Sequence, residues 1–369
     1  MKKVLFTATV DSHILQFHLP FLKLFKENGY EVHVATNGNE EIPYCDVKHV
    51  IPFERSPIKL NNLKAIKQLK KICMEEKFDI IHTHTPMGSV VTRLAAKKAR
   101  KKYHTRVIYT AHGFHFFNGA SKKNWMIFYP VEKWLAKYTD TLILINKEDY
   151  QLAKKKFSKR CKDIQYVPGV GIDENKFNFE MTKEEKNELR ESIGLKENDF
   201  VLTCIGRLDA NKNQGFLIDC VREIIKKKSN VHLVLVGPDE INGKYYEQAK
   251  DILSNVHFLG YRKDIPQLLK ITDVSVSASL REGLPVNIME AMASGLPVVA
   301  VDARGVRDLI EDGKNGFVVG NDISIFGDKI IYLYSNSKLH ETFSLKNIKD
   351  VKNYFLKNVL EDMRKIYFL

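Results

Sequence analysis

The chain contains 369 residues, of which 44% are apolar, 10% aromatic and 28% charged. This length is typical of two domains, and the composition is that of a globular protein, which excludes a disordered, collagen-like or coiled-coil chain. Apolar stretches are strand-sized, well short of the ~18 residues of a membrane span, and the N-terminus has no secretory signal pattern. The five cysteines are widely spread without a C-x-x-C pair, which favours free thiols in a reducing cytoplasm.

The net charge of +13 is unevenly distributed. Residues 1–168 hold 30 Lys and Arg against 15 Asp and Glu, whereas residues 169–369 hold 28 against 30. A basic first half predicts an anionic partner, either a substrate or a membrane surface. The simpler interpretation is that the lysines decorate solvated helix faces.

The first half alternates apolar strands with helical segments. The predicted strands are Val4–Thr9, Glu31–Thr36, Phe78–His82, Arg106–Thr110, Thr141–Ile145 and Ile164–Val167. The predicted helices are Pro20–Asn28, Leu63–Glu76, Gly88–Lys102, Lys122–Tyr138 and Glu148–Phe157. Strands separated by helices of this length indicate right-handed βαβ units and a parallel sheet.

A break at about 168–199 separates this half from the next. It opens on turn residues at Pro168–Gly171 and contains a capping box, Thr182 with Glu185, which predicts a short helix. Further strands are predicted at Val201–Ile205, Val231–Val236, Val256–Leu259, Val274–Ala278, Val298–Val301 and Gly316–Val319. Further helices are predicted at Gln214–Lys227, Tyr245–Leu253, Ile265–Lys270, Asn287–Ala293 and from about Ile323 onward.

This pattern predicts an α/β protein with two doubly wound, Rossmann-like domains facing a central cleft. We expect the first domain at residues 1–168 and the second at 169–349, with a C-terminal helix at about 350–369 packing back on the first. Ligands of such sheets bind outside the carboxyl ends of the strands, so the cleft is the expected site.

The segment Arg281–Glu290 combines two carboxylates with a predicted strand-to-helix junction. Glu282 and Glu290 are separated by seven residues, Gly283 permits close backbone approach, and Pro285 suits the first helical turn. A helix N-terminus there offers N–H groups to phosphate or sugar oxygens. The alternative is a plain capped helix with two solvated glutamates.

Two cations follow the first strand of the second half. Gly206-Arg207-Leu208 comes directly after that strand, and Lys212-Asn213 lies five residues further on. Arginine can bind two phosphate oxygens at once and lysine acts as a point charge, so the pair suits a diphosphate in the cleft. A surface salt-bridge site is the alternative interpretation.

These motifs, in this order, resemble a family 4 retaining glycosyltransferase of the GT-B fold, and the resemblance covers nearly the whole chain. It extends to Val236-Gly237-Pro238, Leu259-Gly260-Tyr261, Ala291–Ala300, Phe78–His84 and Thr110–His115. Residues 124–150 are most similar to bacterial capsule and exopolysaccharide transferases. The resemblance implies transfer of a hexose or N-acetylhexosamine from a nucleotide sugar, expected to be a UDP-sugar, to a lipid-linked or glycan acceptor in surface polysaccharide biosynthesis.

The resemblance also implies roles for individual residues. The donor-binding set comprises Gly206, Arg207, Lys212, Gly237, Tyr261, Arg262, Glu282, Gly283, Leu284 and Glu290, and the catalytic set comprises His112, Arg207, Lys212 and Glu282. Arg207 and Lys212 hold the diphosphate, Glu290 accepts from the ribose hydroxyls, and Tyr261 and Arg262 lie beside the base. Because the sequence contains no D-x-D, no metal and no other cofactor is expected.

The loop predicted after the first strand, Ala8–His13, lacks the glycines that many relatives carry there. It leaves Asp11 and His13, with His84, as acceptor-side contacts. Histidines end two predicted strands, and a metal site is the alternative role for His82, His84, His112 and His115, but they form no i, i+4 pair and have no acidic or cysteine partner.

Two basic runs lie at Lys97–Lys102 and Lys154–Arg160. Together with the aromatic residues of the predicted helix Lys122–Tyr138, they suggest that the first domain faces a membrane. The aromatic residues are Trp125, Phe128, Tyr129 and Trp134, which also fit a core stripe. We expect a cytoplasmic protein, peripheral on the inner face of the cell membrane.

Three other classes of function are alternatives to a glycosyltransferase. Epimerases and phosphorylases acting on sugar nucleotides share this architecture and remain open. Nucleic-acid binding has the basic half in its favour but no recognition motif. A dinucleotide oxidoreductase is disfavoured because no G-x-G-x-x-G follows either first strand.

Overall fold

The computed structural model describes residues 1–368, which divide into two compact α/β units. The first comprises residues 1–170 together with the C-terminal segment from Val359, and the second comprises Gly171–Asn358. The chain therefore passes from the first unit to the second after residue 170, where the sequence predicts residue 168. It returns to the first unit after residue 358, later than the predicted residue 349. Within the described chain, no helix combines the length and apolar character needed to cross a bilayer.

The described part of the first unit contains seven parallel strands in the order β3-β2-β1-β4-β5-β6-β7. The strands are β1 (Lys3–Val10), β2 (Glu31–Asn37), β3 (Val47–Val50), β4 (Ile80–Thr83), β5 (Arg106–Ala111), β6 (Thr141–Leu144) and β7 (Asp163–Tyr166). The helices are α1 (Asp11–Phe17), α2 (Leu19–Glu27), α3 (Asn61–Glu76), α4 (Pro86–Ala95), α5 (Lys97–Tyr103), α6 (Lys122–Leu135) and α7 (Lys147–Phe157).

In the second unit, residues 171–358, six parallel strands follow the order β10-β9-β8-β11-β12-β13. The strands are β8 (Phe200–Ile205), β9 (Val231–Val236), β10 (Val256–Gly260), β11 (Val274–Ser277), β12 (Val298–Val301) and β13 (Gly316–Val319). The helices are α8 (Lys183–Ser192), α9 (Gln214–Ile224), α10 (Lys244–Gln248), α11 (Ile265–Lys270), α12 (Val286–Ala293), α13 (Val306–Leu309), α14 (Ile323–Ser335) and α15 (Ser337–Asp350).

The last helix, α16 (Leu356–Phe368), returns the chain to the first unit. Val359, Met363 and Tyr367 on one face of α16 are buried in a core that α1 and α2 share with the sheet. Helices α3 to α7 cover the opposite sheet face. The division follows the period of two along a strand, since Ile108 of β5 joins the first core and Tyr109 the other.

Four local expectations differ from the structure. The short strand β3 is not predicted because its sequence, VKHV, is too short and polar for a periodic signal. The segment after β1 is not a loop, since α1 begins at Asp11. A turn at Ala96 divides the predicted helix 88–102 into α4 and α5, and Pro285 is the N-cap of α12 rather than its first helical residue.

Candidate active site

The second unit has a topological switch between β8 and β11, where the strand order changes direction. Ligands of doubly wound sheets bind beside the carboxyl ends of such strands. The backbone N–H of Gly206 donates to Val236 O at 2.8 Å, and that of Gly237 donates to Gly260 O at 2.8 Å. A Cβ on Gly237 would lie 2.1 Å from Gly206 O at a φ of +148°. Only glycine therefore fits at position 237.

Lys212 and Glu282 meet at this switch point. Lys212 Nζ donates to Glu282 Oε1 at 2.6 Å in a partly buried ion pair. The loop that carries Lys212 is shaped by Asp209, whose Oδ1 accepts the backbone N–H groups of Asn211 and Lys212. Leu280 N–H donates to Asn211 O at 2.8 Å, so the loops after β8 and β11 are held together.

Arg207 lies at the same edge but is held by acids that the sequence motifs did not identify. Its guanidinium pairs with Glu240 at 3.1 Å and with Asp209 at 3.6 Å, and its side chain is 54% exposed. Exposed ion pairs contribute little to stability, so an anionic ligand can compete with Glu240. The signal for Glu240 was its position after β9, three residues beyond Gly237.

The turn before α12 is supported from a neighbouring loop. Arg304, which is buried, donates from Nε to Glu282 O at 2.9 Å. A Cβ on Gly305 would lie 2.1 Å from Gly283 O, so the two glycine backbones are in close contact. Leu284 is buried beside them. Arg304 is not predicted from the sequence, because it follows β12 and lies outside the motifs that predict the site.

Glu290 projects from α12 without a protein partner. Among residues 1–368 its carboxylate has no hydrogen bond or ion pair, and burial raises its pKa to about 7, an effect that Lys176 partly opposes. Asn287 Nδ2, one turn earlier, donates to Ile205 O at 3.0 Å and fixes α12 to the end of β8. The Glu290 side chain is half-buried, and a partly desolvated carboxylate is stabilised when a ligand supplies hydrogen-bond donors.

The two residues predicted beside the base lie after β10. Tyr261 is 72% exposed, while Arg262 Nε donates to Asp264 Oδ1 at 2.7 Å. Within the described chain no hydrogen bond joins either residue to the Lys212–Glu282 pair. Their part in base recognition stays a prediction.

Asp11 in the first unit is engaged in the interior. Burial alone would raise the pKa of its carboxyl, but Lys48 and Thr36 hold that pKa below its usual value. The carboxylate accepts from Thr36 Oγ1 and from the backbone of Glu40, and it pairs with Lys48. The sequence predicts that Asp11 is a loop residue facing an acceptor. In the structure Asp11 is buried at the start of α1, and its carboxylate binds groups of the protein.

His84 and His112 lie together at the ends of β4 and β5, with His84 Nδ1 3.4 Å from His112 Nε2. His13 and His18, from α1 and the residue after it, complete the group with ring centroids 4.9 Å and 5.7 Å from His112. Burial lowers the pKa of His112 to about 4 and those of the other three well below 6.5.

The other two histidines considered with them are placed differently. His82 binds Tyr367 and Thr110, and His115 packs on Phe128 with ring centroids 4.6 Å apart. Of the four histidines named for the alternative metal site, only His84 and His112 lie together. His13 and His18 join them because the segment after β1 forms α1, where a loop was expected.

Two doubly wound units, one with glycine turns, a Lys–Glu pair and a helix N-terminus at its switch point, define a GT-B glycosyltransferase. Residues 185–350 match the family described as glycosyl transferases group 1, and residues 3–146 match the one described as glycosyl transferase 4-like. EpsD of Bacillus subtilis, named as a glycosyltransferase, is 42% identical over 99% of this chain and 96% of its own. The chain belongs to the group 1 glycosyltransferase family.

Two further likenesses support this assignment. A UDP-Gal:alpha-D-GlcNAc-diphosphoundecaprenol alpha-1,3-galactosyltransferase of Escherichia coli is 31% identical over 82% of this chain and 81% of its own. The crystal structure of Anabaena HepE in complex with UDP and glucose has a TM-score of 0.79 at 21% identity and covers 99% of both chains. The latter likeness shows the fold.

Proposed function

We propose that this glycosyltransferase moves a hexose or N-acetylhexosamine, with retention of configuration, from a UDP-sugar to a lipid-linked glycan acceptor during surface polysaccharide synthesis. The observation that carries the proposal is the β8–β11 switch point, where Lys212 pairs with Glu282 just before α12, the helix that also carries Glu290. The names of the galactosyltransferase relative and of the HepE complex support the UDP donor and the lipid diphosphate acceptor.

Breaking the sugar–phosphate bond places negative charge on the departing diphosphate. Lys212 is oriented by Glu282 at 2.6 Å, and Arg207 is accessible beside it, so both cations can stabilise that charge as it develops. The N-terminus of α12 adds backbone N–H groups for phosphate oxygens. In this arrangement the donor diphosphate is neutralised by side chains, with no metal bound to it.

Calorimetric titration of the full-length protein with UDP, ADP and GDP tests the donor site. We expect preference for UDP, weaker binding in the Arg207→Ala variant, and UDP affinity that EDTA and Mg²⁺ leave unchanged. The Arg222→Ala variant is the matched control, because Arg222 is an ion-paired arginine of the same unit on α9, bound to Asp251 at 2.7 Å. Equal UDP affinity in the wild type and the R207A variant would contradict the site.

The first unit presents an apolar stripe that fits a bilayer surface. On α6 the exposed residues Met126, Ile127, Pro130, Val131 and Trp134 follow helical spacing, while Trp125, Phe128 and Tyr129 pack against the core. The core interpretation of the aromatic residues thus holds for three of four. Exposed apolar patches of this kind mark interaction surfaces.

The charge of the first unit supports an anionic membrane as the partner. Exposed lysines on α5, α6 and α7 lie on the same sheet face as the stripe: Lys97, Lys98, Lys101, Lys102, Lys122, Lys123, Lys154, Lys155 and Lys156. A basic helix with an apolar face binds at the headgroup boundary of anionic lipid. This placement gives access to a lipid-linked acceptor and predicts a peripheral protein on the cytoplasmic side of the membrane.

Vesicle co-sedimentation tests the membrane proposal. We expect binding to vesicles containing phosphatidylglycerol, little binding to pure phosphatidylcholine, and loss of binding in a Met126→Ser/Val131→Ser variant. Leu345→Ser is the control, since Leu345 is an equally exposed apolar residue of the second unit. Retention of the double variant on anionic vesicles would refute α6 as the contact.

A further inference from the structure

Four histidines of the first unit converge at its own topological switch point, between β1 and β4. His13 and His18 come from the segment after β1, His84 follows β4, and His112 follows β5. One ring nitrogen from each lies within 4.8 Å of those of the others. The donor-site proposal uses at most His112 of this cluster.

The cluster contains buried nitrogens without partners. His13 Nε2, both nitrogens of His18, and His84 Nε2 are buried and have no hydrogen bond within the described residues. Each unsatisfied buried polar atom costs about 1–3 kcal/mol. Burial alone does not cause this, because His82 is equally deep and has both nitrogens satisfied at 2.8 Å. These four ring nitrogens are therefore available to a ligand.

The ring spacings match those around a metal ion. At Zn–N distances of about 2.0–2.1 Å, the centroids of two imidazoles on a tetrahedral ion are about 5 Å apart. His13 and His112 are 4.9 Å apart, while His84 lies 6.0 Å from His13 and 5.6 Å from His112. The three spacings lie within about 1 Å of that value, so the rings need only small adjustments to bind one ion.

His18 offers an alternative third ligand, with its ring 5.0 Å from His13 and 5.7 Å from His112. His18 and His84 cannot both bind one ion in these positions, because their rings are stacked at 3.7 Å. One of the two ligates and the other packs on it. The cluster can therefore offer three imidazole ligands to one ion.

We propose that His13, His112 and one of His84 or His18 form a binding site for a Zn²⁺-class divalent ion, with an oxygen ligand completing the coordination. The choice of metal follows from the donors. Three imidazoles without a carboxylate suit Zn²⁺ and similar transition ions, whereas Mg²⁺ and Ca²⁺ require oxygen ligands. Three protein ligands with an open position are also typical of reactive zinc sites.

Metal titration of the full-length protein tests this site. After removal of metal with EDTA and dialysis, Zn²⁺ is titrated against a chromophoric chelator, and Co²⁺ is followed by its visible absorption. We expect one tight equivalent of Zn²⁺ per chain and a four-coordinate Co²⁺ spectrum. Loss of a metal-orienting neighbour costs about 10–100-fold in affinity, so His13→Gln and His112→Gln should each lower affinity by at least that factor.

Controls separate the site from other clusters. The His33→Gln variant removes the imidazole from the Glu31–His33–Glu76 group and should leave the tight equivalent intact. Circular dichroism and the Tm of each variant without added Zn²⁺ show whether it has folded. Absence of a stoichiometric equivalent overturns the proposal, as does its persistence in the folded H13Q and H112Q variants. Unchanged affinity in the folded His18→Gln/His84→Gln double variant also overturns it.

Discussion

Replacing Glu290 with glutamine should stabilise the unliganded protein while weakening the donor complex. The pKa of Glu290 is raised from 4.5 to about 7 by burial, a difference that corresponds to about 3 kcal/mol. The folded state therefore binds more protons than the unfolded state between these values, and stability falls as the pH rises through that window. Above pH 7 the loss is complete. Glutamine carries no charge, so the E290Q variant does not lose this stability.

Calorimetric unfolding at several pH values measures this effect. At pH 8 the E290Q variant should be more stable than the wild type by up to about 3 kcal/mol, and near pH 4 the two should be equal. The Glu223→Gln variant is the control, since Glu223 is exposed and paired with Lys226. A variant that is less stable than the wild type at pH 8 would refute the assignment of a desolvated carboxylate.

Ligand binding should change in the opposite sense. Hydrogen bonds from ribose hydroxyls to a carboxylate are worth about 1 kcal/mol more than those to a neutral amide, so the E290Q variant should bind UDP roughly 5-fold more weakly at pH 8. Wild-type affinity should rise between pH 6 and pH 8, because the carboxylate ionises near pH 7. The variant should show no such rise. A pH-independent wild-type affinity would remove Glu290 from the donor site.

Three further substitutions test other parts of the molecule. Gly237→Ala places a Cβ 2.1 Å from a backbone carbonyl at positive φ and should cost more than 2 kcal/mol in calorimetric unfolding, about twice the cost of Gly243→Ala, where φ is positive but nothing lies within 4 Å. Lys212→Met should lower turnover of the UDP-sugar by about 100-fold or more, and an unchanged kcat would refute its role. Glu132→Ala leaves the buried Arg93, paired at 2.9 Å, without its partner and should destabilise the first unit by about 3–5 kcal/mol; a Tm equal to that of the wild type would contradict this.

Much of the fold follows from local pattern. The strand Val231–Val236 and the helix Ile265–Lys270 have the predicted bounds, because a mainly apolar strand and a proline in the first helical turn are local signals. Errors occurred where the local signal was weak. Strand β3 is short and polar, and Asp11–Phe17 became a helix after a stretch that lacks the family's usual glycines.

The candidate site divides in the same way. Lys212 and Glu282 were both predicted from motifs, but their 2.6 Å ion pair joins segments 70 residues apart in sequence. Glu240, which holds Arg207, and Arg304, which holds the Glu282 carbonyl, lie after other strands of the sheet. No local spacing relates these residues, because strand order decides which loops become neighbours.

By itself, the sequence determined the two alternating α/β halves, the family motifs and the basic character of the first half, since periodicity, turn residues and charge are properties of neighbouring residues. Only the tertiary structure decided which side chains share a site. The crossover that puts β4 beside β1 brings His13 and His18 to His84 and His112, and the packing of α12 partly desolvates Glu290 and raises the pKa of its carboxyl. Both outcomes depend on contacts between segments distant in sequence, which form only when the helices pack on the sheets.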